Sequence, residues 1–188
     1  GINQPPKGDK DPFALRRAAI GVIRIIIEKQ LNLDLKELIT ASINLFGDKL
    51  VNDNTADSVF DFIMGRFRAF YQEQGISVDV IQAVLAKKPS SPLDFDKRIK
   101  AVSYFGELPE AETLAAANKR VGNILAKFDG KLYDNFKDDL ASEQAEKDLA
   151  ETFKAISLEV TPLMNDKNYQ AALNELAQLK APIDTFFD

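Results

Sequence analysis

The 188 residues contain no cysteine, no histidine and no tryptophan, and methionine occurs twice. Without cysteine there is neither a disulfide nor a thiolate metal site. Without histidine the chain lacks the commonest general base and the commonest metal ligand, which also excludes a phosphohydrolase of the HD type. Catalysis within these residues is not expected, although the counts do not exclude paired carboxylates. No apolar run approaches the roughly 18 residues of a membrane helix. The opening G-I-N-Q-P-P-K-G-D-K has no hydrophobic signal segment, so a cytoplasmic setting is the default expectation. The phosphate-cradling patterns G-x-G-x-x-G and G-x-x-x-x-G-K-[ST] are absent as well, which leaves nucleotide binding without support.

Also missing is any run of alternating polar and apolar residues long enough for a strand, whereas helical spacing recurs throughout. The expectation is therefore an all-α fold, an antiparallel bundle of about six to eight helices. With 45% hydrophobic residues the chain can build a core. Residues 1–10 read as a loop or a cut end. Asp11 and Pro12 then predict the start of a helix running to about Lys29, apolar nearly all round and so buried on more than one side. Asp34 caps a second helix that Gly47 ends, and the polar stretch 47–58 is the candidate boundary between two units, residues 1–48 and 55–188.

A third helix spans about 56–74, with Gly75 as its stop. Ser77 caps a fourth, which Lys87 and Lys88 close before Pro89, and Ser91 with Pro92 open a fifth. The sixth covers Pro109 to Phe128, before Gly130. Beyond it Ser142 caps an acidic helix that Pro162 interrupts, Asp166 caps another, and Ala181 with Pro182 begin the first turns of one more.

The helix at 109–128 has two sides. Leu114, Ala117, Val121, Ile124, Leu125 and Phe128 share an arc of roughly 100°, the stripe of a helix packed on a core. Lys119, Arg120, Asn123 and Lys127 share a separate arc without an acid among them. Net charge is −5, yet residues 60–128 carry 10 basic and 8 acidic side chains while 129–188 carry 6 and 13, so a local basic field survives in an acidic chain. Such a face is either an ordinary solvated surface or an RNA contact, with Lys and Arg on phosphates and Arg or Asn on base edges. Arg66 and Arg68, with Phe62 as a stacking or second core residue, are the comparable set elsewhere. Lys87, Lys88, Arg98 and Lys100 read as a helix end and a charged face. The acidic pairs Asp94/Asp96, Asp138/Asp139 and Glu143/Glu146 lack the loop spacing of a calcium site and read as solvated helix ends, so no metal ligand is assigned.

Four runs carry a resemblance: D-P-F-A-L-R-R-A-A-I-G-V-I-R-I-I-I-E at 11–28, Q-G-I-S-V-D-V-I-Q-A-V-L-A at 74–86, P-L-D-F-D-K-R-I-K-A-V at 92–102 and L-P-E-A-E-T-L-A-A-A-N-K-R-V-G-N-I-L at 108–125. Together they resemble the β subunit of the bacterial heterotetrameric glycyl-tRNA synthetase, specifically through 128 and more weakly after it. That subunit is much longer, and what is present resembles its C-terminal part: the end of an HD-like helical domain at 1–48 and a helical anticodon-binding domain at 55–188 without its final helix. It further implies the anticodon arm of tRNA(Gly) and the α subunit as partners, ATP and Mg used by the complete complex, and no cofactor or catalytic residue in this piece. Arg66, Arg68, Lys119, Arg120, Asn123 and Lys127 become the candidate RNA contacts. The alternative is a non-catalytic helical module for subunit assembly.

Overall fold

The computed structural model describes residues 6–50, 52–130 and 141–188. Among them are nine α-helices and one short 3-10 turn, with no strand beyond an isolated bridge between Lys7 and Lys10, so the all-α expectation holds. The helices are α1 (Leu15–Glu28), α2 (Leu35–Phe46), α3 (Thr55–Gln72), α4 (Val78–Leu85), α5 (Pro92–Gly106), α6 (Ala111–Ala126), α7 (Gln144–Asn165), α8 (Tyr169–Ala177) and α9 (Lys180–Phe187). They divide into two compact units, 1–99 and 100–188, the division falling within α5. The compact units thus do not follow the polar stretch at 47–58.

In the first unit α3 is the central element, packed against α1, α2 and α4. Its wide apolar face explains this: Phe60, Ile63, Met64, Phe67, Phe70 and Tyr71 are all buried, too broad a stripe for one partner helix. Phe67 stacks on Phe95 of α5 with ring centres 4.2 Å apart, and Tyr71 lies 5.6 Å from the same ring. The Tyr71 hydroxyl donates to Asp96 at 3.0 Å, and Arg98 donates to Asp94 at 2.9 Å. Both aspartates are buried, against the expectation of solvated helix ends. That placement follows from the start of α5 being in the core, where Pro92, Phe95 and Ile99 are fully covered.

The helix ends show where local rules suffice. Asp34 accepts from the backbone N–H groups of Lys36 and Glu37, and Gly47 ends α2 with φ of 53°. Gly75 has φ of 82° after α3, a conformation open to glycine, and the Ser77 hydroxyl accepts from Val80. Four expectations shift. Pro12 does not open α1; Ala14 takes a left-handed turn, and the Asp11 carboxylate reaches across it to the N–H groups of Leu15 and Arg16, both at 2.9 Å. α7 is capped at Glu143 rather than Ser142, with Glu146 accepting from both backbone N–H groups. Pro162 sits inside α7 without ending it, leaving the Leu158 carbonyl without the N–H donor that this position would otherwise supply. Asp166 ends α7, and Asn168 is the N-cap of α8.

α1 also corrects an expectation. Ala19, Ile23, Ile26 and Ile27 form its one buried face, while Leu15, Val22 and Ile25 are exposed. In the second unit α7 packs against α8 and α9, and α6 against α9. Ile156, Tyr169, Ala172 and Leu179 are its buried residues along those helices.

Candidate nucleic-acid interface on α6

α6 forms because Ala115, Ala116 and Ala117 favour helix in its first half and Glu112 sits at the positive end of its dipole. Between Glu112 and Asp129 there is no acidic residue. Lys119, Arg120, Asn123 and Lys127 are all exposed, as the helical spacing predicts. No ion pair among the described residues engages any of the three cations. They form one stripe of donors, with Asn123 adding an amide that both donates and accepts.

The opposite side departs from expectation. Leu114 and Ala117 are half-buried, but Val121, Ile124, Leu125 and Phe128 are 40%, 52%, 46% and 53% exposed, and α6 buries no residue fully. Its main helical neighbour among the described residues is α9, which reaches only part of the stripe. The helix also stops at Ala126, four residues before Gly130.

Among the described residues, Arg120 is the one cation of the stripe with an aromatic partner. Its guanidinium lies 4.0 Å from the centre of the Phe187 ring on α9, and Phe187 meets Phe186 edge-on at 5.0 Å. The sequence gives no hint of this stack, since 67 positions separate the two residues. On the same helix Lys180 binds Asp184 at 2.8 Å, so the Asp184 carboxylate is already engaged. That hydrogen bond, with the Asp184 charge behind it, raises the ammonium above its ordinary value.

The second candidate set belongs to the first unit. Arg68 is exposed on α3. Arg66 is half-buried with its guanidinium 5.4 Å from the Phe62 ring, and its Nε is buried with no hydrogen-bond partner among the described residues. Phe62 is therefore occupied by Arg66 on its own helix, neither a free stacking surface nor a core contact alone. Asp138 and Asp139 lie outside the described residues, and no cluster of three metal-ligating side chains occurs among those described. None of the described helices is long and apolar enough to cross a membrane.

Comparison with known proteins gives consistent relatives. Residues 1–86 match the family model of the glycyl-tRNA synthetase beta subunit. Along all 188 residues the chain is 82% identical to the glycine–tRNA ligase beta subunit of Colwellia psychrerythraea, the match covering 100% of this chain and 27% of that protein. The same subunit of Aliivibrio fischeri is 60% identical and that of Pasteurella multocida 58%, with the same coverage. The chain thus spans about a quarter of the length of the curated relatives it matches. These matches support the β-subunit resemblance and do not support its narrower form, a C-terminal piece.

Proposed function

We propose that this chain is a tRNA-contacting part of a glycine–tRNA ligase β subunit, and that the exposed polar side of α6 binds the anticodon arm. The observation that carries the reading is the unbroken stripe of Lys119, Arg120, Asn123 and Lys127, exposed and without an acid between Glu112 and Asp129. Three cations along one helix side can contact backbone phosphates and release counterions on binding, while Arg120 and Asn123 also carry donor patterns that can read unpaired bases. Arg68, and Arg66 held against Phe62, are a separate candidate set of phosphate contacts on the first unit.

In this reading the chain does no chemistry of its own. It supports glycylation of tRNA(Gly) by a complete cytoplasmic complex in which the α subunit uses ATP and Mg. Residues 55–188 form the recognition part, and 1–48 belong to a neighbouring helical domain. Arg120→Glu should weaken binding of tRNA(Gly) by about 1–3 kcal/mol in a filter-binding titration. An unchanged affinity would remove Arg120 from the interface, and equal affinity for an anticodon-substituted tRNA would move the contact away from the anticodon.

The exposed apolar side of α6 favours a second reading, a helical module that docks another subunit through Val121, Ile124, Leu125 and Phe128. Co-elution with isolated α subunit, together with no affinity for tRNA, would select it.

A further inference from the structure

We infer that Arg120 and Phe187 together form a stacking platform for one unpaired nucleobase. This rests on the tRNA-binding reading and names what the α6 face recognises beyond phosphate. A guanidinium is a flat cation with two faces and a donor edge. The central guanidinium carbon of Arg120 lies over the Phe187 ring, 4.0 Å from its centre, while the residue as a whole remains exposed. Exposure of the residue is what its second face and donor edge would need in order to receive a ligand. Phe187 is steadied in turn by the edge of Phe186 at 5.0 Å.

Ordering the long side chain before binding lowers the entropic cost of either use, but only a base also uses the flat face, because stacking needs two parallel surfaces. The surroundings favour this use over an ordinary ion pair. Asp184, one turn before Phe187, is held by Lys180, and α6 offers Arg120 no carboxylate between Glu112 and Asp129. Lys119 and Lys127 flank the position on the same helix side and can hold the phosphates on either side of a splayed base. A base in a duplex is already stacked and cannot enter, so the platform selects loops over stems.

The test compares an RNA hairpin carrying 2-aminopurine in its loop with a fully paired duplex of equal length. For the unaltered chain, binding the hairpin should quench the probe. Phe187→Leu should lower hairpin affinity relative to duplex affinity by roughly tenfold and abolish the quenching. Arg120→Lys, which keeps the charge but not the plane, should do the same, and the double variant should be no worse than either single one. Phe187→Tyr should retain the quenching, and circular dichroism should show unchanged helix content for every variant. A Phe187→Leu chain that stays folded and keeps both preference and quenching overturns the platform while leaving the tRNA reading intact. If the unaltered chain binds neither RNA, the tRNA reading fails and the platform with it.

Discussion

Tyr71 brings a polar group into the core of the first unit, where its hydroxyl donates to the buried Asp96. Burial, the Asp96 charge and this hydrogen bond all push the phenol above its ordinary range. The consequence has a sign. The folded state keeps the proton while the unfolded chain loses it near pH 10, so stability falls as the pH rises above about 10. Tyr71→Phe should cost about 1–3 kcal/mol at neutral pH in a urea titration and show a shallower alkaline loss. An identical alkaline profile would place the sensitivity elsewhere. Asp34 runs the opposite way. Burial tends to raise its carboxyl, but the Ser90 hydroxyl and the backbone N–H groups of Glu37 and Lys36 outweigh it and hold it below the ordinary value. The stabilisation is present above the unfolded value of about 4 and is lost as pH falls through the lower folded value. Ser90→Ala should therefore cost about 1 kcal/mol at pH 7, and the gap from the unaltered chain should narrow below pH 4. A gap constant with pH would mean that the hydroxyl matters only to packing.

At the scale of the helix, short-range chemistry accounts for some ends and not others. Asp34, Gly47, Gly75 and Ser77 act where the sequence places them, because each supplies an oxygen or a positive φ to groups within three residues. Pro162 shows the limit. A proline removes one hydrogen bond wherever it falls, but whether the helix continues depends on the packing on either side of the gap. Here the buried Ile156 and the contacts of α7 with α8 and α9 hold the helix through it. Pro162→Ala should restore the missing bond and raise stability by about 1 kcal/mol, the gain being offset in part by a more flexible unfolded chain. Thermal unfolding followed by far-ultraviolet circular dichroism reads this out; a lower midpoint would show that the proline is preferred where it stands.

For the molecule as a whole, a net charge of −5 opposes RNA at long range while the α6 stripe attracts it at short range. Salt screens both, but only the contacts release counterions. With three cations on the face, the log–log dependence of tRNA affinity on salt should have a slope of about −2 to −3, and removing Lys119 and Lys127 together should reduce it by about 2. A slope unaffected by those substitutions would mean that the cations keep the helix solvated and nothing more.

The helical periods, the polar stripe of Lys119, Arg120, Asn123 and Lys127, and the resemblance to β subunits were all determined by the sequence alone. Periodicity is local, and exposure of a charged arc follows directly from the energetic cost of burying it. Burial of Asp94 and Asp96, the one-sided packing of α1, and the half-empty apolar side of α6 were decided only by the tertiary structure. Each depends on which helix lies opposite, a matter of chain segments far apart in number. The same holds for the pairing that reshapes the candidate site. Arg120 meets Phe187 because α6 packs against α9, and no spacing along the chain encodes that contact.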